Sequence, residues 1–281
     1  MRRRACGLAL AGLLISGSAQ AISFEVCDRP KEPSADQRDV MLRFSAIVRS
    51  ELTASHQQVA LIARSGLDLS RLHTRYSHEG VALEDKDGRT WSVRELYYAC
   101  AEHKPRVFDE GFTGFVMGTD DPDNGFVSLV FLPPERAEPL RATAVDKHHA
   151  LGVLGASYSA NAYPFSTRHQ NCNQWVAELL ADAWGAGDDG SDADARTRAQ
   201  AWMRAQGYLP TVFTVSAHPM TWLPDLVPWL ANDDHPREEL AHNHYNVSMP
   251  TSIETFVQTM VPQARRIEIC HASQRMVLHR G

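Results

Sequence analysis

After its first residues this 281-residue chain has no apolar run long enough to cross a bilayer, so no integral membrane segment is expected beyond that start. It has no surplus of positive charge either. A net charge of -6 argues against nucleic acid or an anionic membrane as the main partner. Cysteine is scarce, at five residues, and no two have the C-x-x-C spacing of a zinc ribbon. No internal repeat is present, and no motif calls for a cofactor or a metal. What remains is an ordinary globular composition, 43% hydrophobic and 22% charged.

The start, "MRRRACGLALAGLLISGSAQAISFEVC", joins three arginines to a short apolar run and the triplet Ala19-Gln20-Ala21. It reads as a signal peptide over residues 1–21, which places the protein in the periplasm or outside the cell. Residues 22–281 are then expected to form one domain. Four cysteines would remain: Cys27, Cys100, Cys172 and Cys270. In an oxidising compartment a pair can be bridged. If Cys172 is a free thiol, one bridge at most joins the other three, and Cys27 with Cys100 is the expected pair because both border the core.

Along the chain, Ser34 is placed to cap a helix over about 35–53, with Val40, Ile47, Val48 and Leu52 inward. "QQVALIAR" reads as a buried strand, and "YSHEGVAL", "DKDG" and "RTWSVREL" as a hairpin. "GFVSLVFLPP" is another strand, and "DKHHALGVLGASYSA" reads as helical. "GAGDDGSDADA" is a solvated linker before the helix "RTRAQAWMRAQGY". A Trp- and Pro-rich stretch over 217–236, a helix at "SIETFVQTM" and a terminal hairpin follow.

The stretch "HQNCNQWVAELLADAW" carries the chemistry. From Cys172 the apolar residues Trp175, Val176, Leu179, Leu180 and Ala183 keep the spacing of one helix face. Asn171 or Asn173 can cap that helix. A thiol at this end faces the positive pole of the helix dipole, which favours thiolate. A buried core cysteine would fit the same position. A nucleophilic thiol needs a base, and of thirteen histidines His78 is best placed, on a strand with small neighbours.

A histidine in "YSHEGVAL" followed about a hundred residues later by the cysteine of "QNCNQW" resembles the circularly permuted papain-like hydrolases, relatives of NlpC-type peptidases and of lecithin retinol acyltransferase. "WSVREL", "YSANAYPF" and "RIEICH…VLHRG" also resemble a group of exported bacterial proteins without an assigned activity. The first resemblance implies an α+β fold: a permuted papain-like core over about 58–185, with an antiparallel sheet packed on the helix opened by Cys172. An N-terminal helix and a C-terminal extension over about 186–281 complete it. It implies Cys172 as nucleophile and His78 as base. If Asp85 pairs with Gly88 in a two-residue turn, Glu95 lies opposite His78 as the third catalytic group. Gln170, Asn171 and Asn173 are candidates for lining the site or binding an oxyanion.

The function expected from this is an exported cysteine hydrolase or acyltransferase working on an amide or ester through an acyl-enzyme. Its partner would be a peptide, cell-wall or acyl substrate. A non-catalytic envelope module with the same fold is the alternative. A metal-dependent hydrolase using His235, His242 and His244 is a third possibility.

Overall fold

The computed structural model describes residues 32–187, 193–214, 229–272 and 275–280. The expected signal peptide, Cys27 and most of the Trp- and Pro-rich stretch lie outside the described residues. The strands are β1 (Val59–Arg64), β2 (His78–Glu84), β3 (Trp91–Ala99), β4 (Lys104–Gly111), β5 (Asn124–Phe131), β6 (Thr211–Thr214), β7 (His244–Val247), β8 (Arg265–Ala272) and β9 (Arg275–Arg280). Seven of them form one antiparallel sheet in the order β4-β3-β2-β1-β5-β8-β9, and β6 and β7 pair as a separate ribbon. The helices are α1 (Ala35–Ala54), α2 (Phe112–Met117), α3 (Pro134–Val145), α4 (Lys147–Gly152), α5 (Cys172–Ala181), α6 (Ala195–Ala205), α7 (Arg237–Ala241) and α8 (Pro250–Met260). The chain is thus α+β, with a large antiparallel sheet and an N-terminal helix.

Strand parity divides the core in two. Ala60, Ile62, Ala82 and Val93 pack with Phe44 and Val48 of α1 and with Phe112 and Phe115 of α2. Val59, Leu61, Val81 and Leu96 face the other way, toward Leu140 of α3, Trp175 and Leu179 of α5, and Ile253 of α8. Because helices cover both faces of β1, all six of its residues are buried. That is why the strand reads as a continuous apolar run rather than an alternating one.

Ser34 caps α1 in a capping box with Gln37. The inward stripe of α1 includes Met41 and Phe44, while Ile47, expected inside, is 36% exposed. The segment expected as one long helix around His148 stops at Gly152. The C-terminal hairpin does not stand apart as an extension: β8 pairs with β5 along eight residues and brings two strands into the main sheet.

Candidate active site

Cys172 is the first residue of α5, and every residue of that helix is buried. A helix buried all round has to satisfy its polar groups internally, and this explains the amides around the cysteine. Asn171 is the N-cap: its Oδ1 accepts from the Gln174 N–H at 2.6 Å, and its Nδ2 donates to the Ala160 and Ser248 carbonyls at 3.3 and 3.2 Å. Gln170 accepts from the Gly155 N–H at 2.7 Å and donates to Val153 O and Glu178 Oε2 at 2.8 and 2.6 Å. Both hydrogens of each amide are therefore committed to the scaffold, which leaves neither side chain a donor for an oxyanion. Asn173 does line the cavity beside Cys172. Its Nδ2 donates to the Ser77 carbonyl at 3.2 Å, tying the cysteine helix to the residue before His78.

His78 opens β2, buried at the end of the sheet, with Tyr97 and Phe115 rings 5.6 and 5.8 Å from its own. Its Nε2 hydrogen-bonds Glu95 Oε2, and the Cys172 thiol lies close enough to the ring to raise its pKa. With Nε2 taken by Glu95, Nδ1 is the nitrogen left for the sulfur. The structure thus brings Cys172, His78 and Glu95 together.

Glu95 reaches His78 by a different route from the one expected. The β2–β3 turn is wider than two residues: Asp85 N–H bonds Thr90 O at 2.9 Å, and Asp85 Oδ1 accepts from the Arg89 and Thr90 N–H groups at 2.8 and 3.1 Å. Val81 pairs with Arg94 and Ala82 with Val93. Continuing that register puts Tyr97 across from His78 and Glu95 across from Gly80. The expected register was wrong by two rows, and a two-row shift keeps every side chain on its face. Glu95 therefore approaches His78 on the diagonal. Gly80 leaves the room, since a Cβ there would lie 2.6 Å from Val93 Cγ1 and 3.4 Å from Glu95 Cβ.

The electrostatics favour a protonated His78. Burial alone would lower the His78 pKa, but negative charge at Cys172 and Glu95, with their hydrogen bonds, raises it to about 9. Burial pushes the Glu95 carboxyl up, yet His78, a hydrogen bond from Glu110 and the Arg64 charge outweigh it and hold Glu95 below its usual range. Glu110, on β4, is pushed up to about 7 by burial and by Glu95 beside it. Arg64 pairs in register with His78 and lies over the Phe115 ring at 5.1 Å. On the other face Glu79 is wholly buried with both carboxyl oxygens unpartnered. Burial, then Glu254 and Cys172, push its carboxyl well above the usual range, which favours its neutral form.

A measurable pH effect follows from Glu110. Its folded carboxyl holds a proton from about 4.5 up to about 7, where the unfolded one has lost it. Wild-type stability should therefore fall relative to Glu110→Gln as pH rises through that window, the contribution being complete below it and gone above it. The group is partly exposed, so about 1–2 kcal/mol is expected. Urea unfolding at stepped pH measures it, and a wild-type-minus-variant difference that does not change with pH would contradict it.

Sequence reasoning missed Arg64 and Glu110. Arg64 had a signal, as the charge that ends the apolar run of β1; β4 was not read as a strand at all. Of the histidines considered for metal, His235 is buried and its Nε2 donates to Asn161 O at 2.7 Å, while His242 Nδ1 donates to Glu238 O at 2.8 Å. Among the described residues no three metal-ligating side chains converge, and no helix is long and apolar enough to cross a membrane. Cys172 and Cys270 are free thiols, and Cys100 is disulfide-bonded. Its expected partner Cys27 is outside the described residues.

The model of a family described as "Uncharacterized protein conserved in bacteria" (DUF2145) matches residues 51–257. No curated protein and no solved structure matches the chain.

Proposed function

Since the chain belongs to this bacterial family, whose description names no activity, we propose its function from the site: an exported cysteine hydrolase or acyltransferase that cleaves an amide or ester through an acyl-enzyme. The observation that supports this is the grouping of Cys172 beside His78 and of His78 hydrogen-bonded to Glu95, with the cysteine at a helix N-terminus in a cavity wall. The Cys172 sulfur attacks the carbonyl carbon and forms a C–S bond. The oxyanion meets the Cys172 and Asn173 N–H groups of α5, which the Asn171 cap leaves without an acceptor. His78 gives its proton to the leaving oxygen or nitrogen as the C–O or C–N bond breaks. It then takes a proton from water or another acceptor, whose oxygen attacks the thioester and restores the thiolate. Glu95 holds the ring in place and stabilises its cationic form. The permuted papain-like ancestry and the export of the chain belong to the same proposal.

Cys270 supplies an internal control for the test. In limited iodoacetamide labelling at neutral pH, Cys172 should react faster than Cys270 although it is more buried, and His78→Ala should remove that advantage. Equal rates that are insensitive to His78 would favour the non-catalytic envelope module instead, for which the burial of Cys172, only 9% exposed, is the supporting observation.

A further inference from the structure

We propose that the cavity beside Cys172 holds the hydrocarbon chain of a long-chain acyl ester or amide, so that the group carried on the cysteine is a fatty acyl; this rests on the cysteine-hydrolase reading above. The cavity measures about 370 Å³, within the range of small-molecule sites. Cys172, His78 and Asn173 form part of its wall, and Leu69, Leu72, Leu96, Phe213, Val247 and Met249 form much of the rest. A peptide strand would bring a donor and an acceptor with each residue, and these need partners when buried. Arg64, Asp120, Asn161 and Asn232 also border the cavity, but most of the wall exposed to it is apolar, so such partners are scarce, and an aliphatic chain needs none.

The ribbon of β6 and β7 supports the same conclusion. Tyr245 and Val247, with Met249, form a small cluster with Leu69, Phe213 and Leu240, separate from the two main cores. Five of these six residues also line the cavity. A two-stranded ribbon is marginal alone, and this one sets its apolar side along the cavity. The chain belongs on the acyl side of the bond for a chemical reason. The leaving group departs in the first half-reaction, while the acyl group stays bonded to a sulfur that is itself largely buried.

The test is a series of p-nitrophenyl acetate, butyrate, octanoate and dodecanoate, which share one leaving group. It is read as kcat/KM and as mass added at Cys172. Each buried methylene should raise kcat/KM about fourfold until the cavity fills, giving at least about 100-fold between acetate and octanoate. Val247→Trp should move the optimum to shorter chains. Binding is read separately with the fluorescent fatty acid cis-parinarate on Cys172→Ser, where saturable binding competed by dodecanoate is expected. A flat series in which Cys172 is still acylated would overturn the chain-binding proposal and leave the cysteine hydrolase standing. Faster acylation by a short peptide ester than by octanoate would do the same. If no ester acylates Cys172, the transfer step is refuted whatever parinarate does.

Discussion

His78→Ala is expected to slow acylation of Cys172 by about 10³–10⁴-fold, and Glu95→Gln by about 10²-fold. The order follows from what each side chain touches. His78 contacts the thiol and carries the proton in both half-reactions, whereas Glu95 acts only through the ring. The imidazole is buried, which by itself disfavours its cation, and anionic neighbours reverse that to put its pKa at about 9. His78 should therefore lose its proton, and acylation its rate, as pH rises through about 9. Removing the Glu95 charge removes one of the two anions that hold the ring protonated, so in Glu95→Gln this alkaline limb must move to lower pH. Initial rates with p-nitrophenyl octanoate across pH measure both effects. A His78→Ala rate within threefold of wild type would end the triad interpretation. An alkaline limb that stays put in Glu95→Gln would show that Glu95 does not set the charge on His78.

The helix opened by Cys172 was legible because its apolar spacing and its asparagine cap are local properties. The duty of the surrounding amides was not, because their partners at Ser77, Val153 and Ser248 are distant in sequence. Glu95 was found from a wrong turn: a strand's two-residue period forgives a register error of two rows but not of one. β4 escaped notice because it is an edge strand with charged residues on both sides and only Pro105 fully buried, so it has no clean alternation. Glu110 was lost with it. The cavity was invisible for another reason, since its β6 and β7 wall is assembled from pieces thirty residues apart.

Arg196→Met should destabilise the fold by about 3–5 kcal/mol, although Arg196 touches neither Cys172 nor His78. Glu178 lies on α5 with its side chain wholly buried. Its carboxylate takes bonds from Arg196 Nε at 2.7 Å and Nη2 at 3.0 Å, from Gln170 at 2.6 Å, Gln174 at 3.0 Å and Gln200 at 2.7 Å. Even so, burial keeps its carboxyl above the usual range. Arg196 also donates to Thr167 O at 2.7 Å and His169 O at 3.0 Å, clamping the loop that leads into the cysteine helix. Methionine fills similar space but leaves a buried carboxylate without its cation and two carbonyls without donors. Removing both charges, as in Glu178→Met with Arg196→Met, should recover much of the loss, since a buried ion pair is worth little against well-packed apolar side chains. Urea unfolding of the two single variants and the double variant gives the coupling energy. A cost below about 1 kcal/mol for Arg196→Met, or a double variant no more stable than the single ones, would show that the charge pair does not hold α5 in place. If the network does position the helix, the double variant should fold yet label Cys172 more slowly with iodoacetamide, because the 166–169 loop has lost its clamp and the thiol its fixed place beside His78.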